Sequence, residues 1–213
     1  DADLILLSLL LKSSNIYMLR EKQILRKDLK KKHVEFEYLY LKLLKKYFLE
    51  KFPNHNGENI IKDFIILSFF LGNDFLPNIP HLKIKKGGLD FVIEKYQHLL
   101  NKFKNRYIIE KNNFNFVFLK SLIHELSNIE YKTPSNDNFT PKNKFNSKYE
   151  QELFKINYVY NQYKDPIRFN TPNWKRRYYE YYFNIHFKNN NEIKKICYNY
   201  FKTIRWIYLY YTE

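Results

Sequence analysis

The chain has 213 residues, 37 of them Lys or Arg and 22 Asp or Glu, which gives a formal net charge of +15. Apolar residues make up 45% and aromatics 19%, enough to bury a core, so wholesale disorder is excluded. A single cysteine, Cys197, excludes a disulfide framework and any multi-cysteine metal site, and the apolar runs at 4–11 and 64–71 fall short of the roughly 20 residues that span a bilayer.

Along the chain, Asp1–Leu11 predicts a short helix that opens on acidic residues, with Asp1 as its N-cap, and Ser13-Ser14-Asn15 breaks it. Ile16–Arg20 alternates weakly and reads as a strand, and Lys27–Lys32 is a basic run of the kind that coats a surface. Phe36, Leu39, Tyr40, Leu43, Leu44, Tyr47 and Phe48 fall at helical spacing, so a helix is expected from Glu35 to Phe52, closed by Pro53 and turned by Asn54–Gly57. Ile60–Leu71 is apolar on nearly every face and predicts a buried helix that Gly72 closes. Pro77 and Pro80 hold Phe75–His81 extended. Leu89–Phe103 and Phe114–Ile129 are helical, separated by a turn near Lys111–Asn113. Tyr131–Ser147 reads as a linker, followed by helices at Glu150–Tyr163, Trp174–Phe183 and Asn191–Tyr211.

Two features of composition bear on origin. Lys, Asn, Tyr, Phe and Ile are abundant while Ala and Val are scarce, the signature of an AT-rich genome, so codon bias accounts for part of a basic surplus that otherwise points to nucleic acid. The chain opens inside a motif and its only methionine is Met18, so it reads as an internal piece of a longer protein. The lone thiol fits a reducing, intracellular setting.

The carboxylates carry the sharpest chemical signal. Asp1 and Asp3 sit where a helix N-terminus favours the charged form, and Asp74 follows the buried helix in the string Leu71-Gly-Asn-Asp-Phe-Leu-Pro77. A carboxylate beside so much apolar sequence is costly unless paired, protonated or bound to a cation. Three acidic groups brought together would repel, and Mg²⁺, which takes oxygen ligands, relieves that. Two such ions roughly 4 Å apart activate water and stabilise a phosphodiester leaving group. The plainer reading, an N-cap at Asp1 and a turn-forming Asn73-Asp74 pair, stays open beside it. Other templates fail: there is no Gly-rich phosphate loop, and His124-Glu125 is followed by Asn128 where a zinc-protease helix needs histidine. Asn138-Phe139-Thr140 has the form of a glycosylation acceptor. Trp174-Lys-Arg-Arg-Tyr-Tyr179 interleaves cations with aromatics, either as a surface for RNA using Trp174, Lys175 and Arg177 or as an aromatic packing face. The same choice arises at Tyr198–Tyr211, where an aromatic core with snorkelling cations is preferred.

Asp1-Ala-Asp-Leu-Ile, Arg20-Glu21, Asp63-Phe and Phe69-Phe-Leu-Gly-Asn-Asp-Phe-Leu-Pro-Asn-Ile-Pro80 together resemble the eukaryotic 5′→3′ exoribonucleases of the Xrn/Rat type. Gly88-Leu-Asp90, Tyr107-Ile-Ile, Pro172-Asn-Trp-Lys-Arg-Arg-Tyr-Tyr179 and Trp206-Ile-Tyr-Leu-Tyr-Tyr211 extend the likeness over nearly the whole chain. The resemblance implies an α/β fold, predominantly helical in this piece and part of a PIN-like 5′-nuclease domain. Residues 1–130 would be the C-terminal part of the nuclease block, 131–147 a linker and 148–213 the start of a second, helical block. It implies removal of nucleotides from RNA carrying a 5′-monophosphate, in the nucleus or the cytoplasm. Asp1, Asp3 and Asp74 match metal-binding carboxylates of the family, for two Mg²⁺ ions that Mn²⁺ could replace. The remaining acidic ligands and the pocket for the 5′-phosphate would lie upstream of Asp1, so the isolated chain is expected to be inactive. Asn78 stands where the family usually has His, and Lys202-Thr203 where it has an acidic residue and Gly. Two alternatives accompany this reading: a relative that binds or scaffolds RNA without catalysis, and a flap-type DNA nuclease.

Overall fold

The computed structural model describes residues 2–13, 15–21, 35–84, 87–104, 106–127, 166–168 and 171–212. Asp1, the basic run 27–32, the linker 131–147, the expected helix 150–163 and the Asn138 motif lie outside the described residues. In chain order the elements are α1 (Ala2–Leu10), β1 (Tyr17–Glu21), β2 (Phe36–Tyr40), α2 (Leu41–Leu49), α3 (Gly57–Phe69), α4 (Gly88–Phe103), β3 (Ile109–Glu110), β4 (Asn113–Phe114), α5 (Phe116–Ser127), α6 (Trp174–Phe183) and α7 (Asn190–Thr212). The described structure is mostly helical, and its strands form two antiparallel pairs, β1 with β2 and β3 with β4. No described helix is long and apolar enough to cross a membrane. The chain divides into two compact units, residues 1–128 with 201–213, and residues 129–200.

In the first unit α3 is the centre of the core. Ile60, Ile61, Ile65, Ile66, Leu67 and Phe69 are all buried, as expected for a helix apolar on nearly every face. Its start is set by Asn56, whose side chain accepts from the Asn59 N–H at 3.1 Å, a cap that releases the chain from Pro53 into the helix. Around it pack α1, α4 and the β3 strand, while α5 lies on α4. The last turns of α7 belong to this unit and bury Ile204, Ile207, Tyr208 and Tyr211, a spacing of three and four that defines one helix face.

One expectation is corrected. Helix does not begin at Glu35, because Phe36–Tyr40 is a strand paired with β1 in the register Tyr17↔Tyr40 to Glu21↔Phe36. The string Phe-Glu-Tyr-Leu-Tyr satisfies both periods, and pairing decides between them. The Tyr17 and Tyr40 rings stack at 4.4 Å and 4°, and Arg20 forms an ion pair with Glu37. Helix starts only at Leu41. A second pair of strands, β3 and β4, occupies the turn expected near Lys111. Lys111 and Asn112 both take positive φ, 50° and 61°, which closes a two-residue hairpin. Asn115 then caps α5, its side chain accepting from the Phe118 N–H at 3.1 Å.

Asp63 joins these pieces. It is the one fully buried charged or polar residue among the described residues. Its Oδ2 accepts from the Tyr96 hydroxyl at 2.7 Å and the Ile108 N–H at 2.6 Å, and its Oδ1 accepts from the Ile109 N–H at 2.9 Å. One side chain of α3 thus ties α4 and the β3 hairpin together. Burial pushes its pKa up to about 7, the three donors pulling the other way and the Glu110 charge adding to the rise. When protonated, Asp63 can donate to the Tyr96 oxygen, which reverses its role.

A pH dependence follows. The ordinary Asp pKa is 3.8 and the folded value about 7, so between them the folded chain keeps a proton that the unfolded chain has lost. The contribution is fully present below about pH 4 and fades as the pH rises through about 7. Melting temperatures measured from pH 5 to pH 8 should fall with rising pH more steeply for the wild type than for Asp63→Asn, whose amide does not titrate. Parallel curves would contradict this assignment.

Candidate metal and RNA site

The loop that carries Asp74 is built by its neighbours. Gly72 ends the helix with φ +91°, a conformation that glycine alone adopts cheaply. Asn73 closes the turn: its N–H donates to the Leu76 carbonyl at 2.9 Å, and its Oδ1 accepts from the N–H groups of Phe75 at 2.9 Å and Leu76 at 2.8 Å. The Ile79 N–H donates to the Phe70 carbonyl at 2.9 Å, and Asn78 Nδ2 donates to the carbonyls of Ile79 and Leu82 at 2.9 and 3.1 Å. The turn-forming role therefore falls to Asn73. Asp74 is exposed, between buried Leu71 and Leu76, so the cost of burying its charge does not arise.

A Cβ on Gly72 would stand 2.9 Å from the Asn78 backbone nitrogen and 3.3 Å from its Cβ. Gly72→Ala is expected to destabilise the protein by roughly 2–4 kcal/mol, from the left-handed backbone and the clash together. Denaturant titration checks this, and a change below about 1 kcal/mol would show that the loop relaxes freely.

Asp3 lies in the first turn of α1 and is half-buried. Tyr211 lies on α7, its hydroxyl buried without a hydrogen-bond partner among the described residues. Tyr211 is buried, with its ring edge-on to Phe69 at 5.3 Å and 87°. Burial raises the pKa of its phenol, and interaction with Asp3 followed by the charge of Asp74 raises it further, so the hydroxyl keeps its proton and feels both carboxylates. A cavity of about 310 Å³ opens beside this point, lined among others by Asp3, Leu6, Phe48, Phe64, Phe69 and Asn73. The Asn73 Nδ2 donor is buried there without a hydrogen-bond partner among the described residues.

Asp3 and Asp74 are hard oxygen donors, the type that Mg²⁺ takes. Among the described residues no group of three or more His, Cys, Asp or Glu comes together to hold a metal, and Asp1 lies outside them. Donor chemistry fits the ion, and further oxygen ligands are needed to complete a shell.

In the second unit the three residues singled out for RNA have unequal circumstances. Arg177 is committed to the protein: its Nε donates to the Ile167 carbonyl at 2.8 Å, Nη1 to the Pro172 carbonyl at 2.8 Å and Nη2 to the Arg168 carbonyl at 3.3 Å, fastening the segment before α6 onto that helix. Arg176 pairs with Glu180 at 2.9 Å. Lys175 is exposed, its ammonium 5.7 Å from the centroid of the Trp174 ring, and Trp174 is half-buried. Tyr178 sits among Trp174, Tyr179, Tyr182 and Phe183, so much of this aromatic string packs on itself.

The aromatic core expected at Tyr198–Tyr211 is met by Tyr208 and Tyr211, which pack inward on the 204, 207, 208, 211 face, but no link from Tyr211 to the carboxylates was drawn. The sequence reading also gave no separate role to Phe75 and Trp206, which stay exposed.

The sequence matches the family described as the Xrn1 helical domain over residues 54–155 and 127–213, which together cover more than half of the chain. The chain belongs to the Xrn1 helical-domain family. Asp74 and the α6–α7 aromatics lie inside the matched stretches, and Asp3 lies before them. Relatives named 5′-3′ exoribonuclease 1 are 33% identical over 160 residues in Schizosaccharomyces pombe, 34% over 142 in Saccharomyces cerevisiae and 30% over 145 in Homo sapiens. These alignments take in 69%, 61% and 61% of this chain and 12%, 9% and 8% of the relatives. The chain therefore spans about an eighth or less of the length of these Xrn1 relatives.

Proposed function

We propose that this chain forms part of a Mg²⁺-dependent 5′→3′ exoribonuclease acting on RNA with a 5′-monophosphate, its first unit belonging to a PIN-like 5′-nuclease domain. The observation that carries the proposal is the match to the Xrn1 helical-domain family over residues 54–155 and 127–213, a stretch that contains the Asp74 turn. The names of the relatives support the reaction class.

Asp1, Asp3 and Asp74 are the residues that would hold metal, and Mg²⁺ bound there would supply water activation and charge neutralisation at the phosphodiester. The chain's own contribution is positional. Asn73 and Gly72 fix the turn that presents Asp74, and α1 carries Asp3 in its first turn. Burial keeps the Tyr211 phenol protonated. We place activity in the intact protein and expect the 213-residue chain alone to leave RNA undegraded.

Digestion of 5′-phosphorylated RNA and of flapped DNA by the intact protein, side by side in Mg²⁺, tests the reading. Nucleotide release from the RNA with the flap left whole is the expected outcome, and the reverse preference would favour a structure-specific DNA nuclease.

A further inference from the structure

Asn56-Gly57 is the one Asn-Gly step in the sequence, since the other glycines follow Leu71, Lys86 and Gly87. It falls where the chain leaves Pro53 and enters α3. Asn56 is the N-cap, with φ −67° and ψ 114°, and Gly57 is the first helical residue. Three hydrogen bonds fix Asn56. Its N–H donates to the Tyr107 hydroxyl at 2.9 Å, its backbone carbonyl accepts from the Ile60 N–H at 3.0 Å, and its side-chain Oδ1 accepts from the Asn59 N–H at 3.1 Å. The Gly57 N–H opens the helix, where no intrahelical acceptor faces it.

An asparagine is open to attack from the backbone nitrogen of the residue that follows it, because that nitrogen lies within ring-closing reach of its own Cγ. A glycine in the following position has no Cβ to crowd the approach and gives the backbone freedom to make it. Asn73 has neither advantage: Asp74 follows it, and two N–H groups hold its Oδ1.

We propose that Asn56 is a site of spontaneous deamidation, through a succinimide closed by the Gly57 nitrogen, and that the α3 cap sets its rate. The Gly57 nitrogen gives its proton to hydroxide and bonds to Asn56 Cγ. The bond from Cγ to the side-chain nitrogen breaks, and ammonia leaves with a proton taken from water. Water then opens the ring at one of its two carbonyls and leaves aspartate or isoaspartate. The balance is one water consumed and one ammonia released, with no change of oxidation state. The reaction is internal to two neighbouring residues, so it needs no partner and stands apart from the exoribonuclease reading.

The bond to Asn59 has to break before Cγ can turn onto the Gly57 nitrogen, so folding slows the step. The two products then differ in consequence. Aspartate caps as well as asparagine does, and its charge suits a helix N-terminus. Isoaspartate routes the main chain through the side-chain carbons, which lengthens it by a methylene and displaces the carbonyl that Ile60 uses. The first turn of the central core helix loosens as a result.

The test ages the intact protein in mildly alkaline buffer and follows each asparagine by peptide mapping and mass spectrometry. Asn56 should convert faster than every other asparagine, to both products, at a rate that rises with pH. In urea its conversion should be about fivefold faster, the factor by which one side-chain cap holds the closed form. Asn56→Ser keeps a capping oxygen and has no amide to lose, so it should remove the early release of ammonia at an unchanged melting temperature. Gly57→Ala should slow the conversion, since a Cβ there meets the Leu49 side chain at 3.1 Å and crowds the nitrogen. The isoaspartate fraction should melt below the aspartate fraction. An Asn56 that converts no faster than the other asparagines in the folded protein, or equally fast with Gly57→Ala, would overturn the proposal. Equal rates in urea and in native buffer would take the cap out of it.

Discussion

Asp74→Asn in the intact protein is expected to lower Mg²⁺-dependent release of 5′ nucleotides by at least about a hundredfold while leaving the fold in place. Partners that merely orient a metal ligand are typically worth 10- to 100-fold, and the ligand itself should be worth no less. The fold should survive because the turn is closed by Asn73 and fixed by Gly72, and the exposed Asp74 side chain holds none of it. Asp3→Asn should produce a loss of the same order, as the other proposed metal ligand among the described residues. Initial rates across a Mg²⁺ titration, with thermal melts of the same samples, check both expectations. Unchanged rates in either variant would remove that residue from the ligand set, and a large drop in melting temperature would show that the loss came from misfolding.

Asp63→Ala is expected to be the most damaging substitution for stability, at about 3–5 kcal/mol. It leaves the Ile108 and Ile109 N–H groups and the Tyr96 hydroxyl buried without an acceptor, each costing roughly 1–3 kcal/mol, and opens a void between α3 and the β3 hairpin. For a chain of this length the melting temperature should fall by about 10 °C. Asp63→Asn should cost about half as much, because one oxygen still accepts while the new amide faces a donor it cannot answer. Calorimetry on the two variants would show this order. Equal, small effects would mean that the backbone donors find other partners, and the clasp described here would be wrong.

The parts of the fold that were legible in the sequence are those where one signal dominates. The buried helix α3 was marked by unbroken apolar residues, and its end by Gly72, whose φ of +91° needs glycine. The 35–40 segment was misread because Phe36, Leu39 and Tyr40 fit helix spacing while Phe36, Tyr38 and Tyr40 fit strand spacing. Only pairing with Tyr17–Glu21, a contact across intervening chain, resolves the two. The β3–β4 hairpin was seen as a turn alone, since Lys111 is an unusual residue for positive φ and no Asn-Gly pair announced it.

At the site, the motif singled out Asp74 as a candidate but not its setting. An aspartate next to Leu71 and Leu76 suggested a buried charge, and the structure exposes it because Asn73 spends its own side chain on the turn. That the charges of Asp3 and Asp74 act on the Tyr211 phenol could not be read from spacing, because it depends on the packing of the α7 C-terminal turns in the first unit. Arg177 looked like a phosphate contact for the same reason that makes it a good clamp: its fork of donors suits any cluster of oxygens, and here backbone carbonyls supply them.

The most direct test follows a 5′-monophosphorylated RNA, labelled along its length, with the intact protein in Mg²⁺ and with the Asp3→Asn, Asp74→Asn double variant beside it. The account predicts mononucleotides released from the 5′ end by the wild type, stopped by EDTA and absent with the double variant. RNA that is bound but stays whole, or equal release by the double variant, would contradict it.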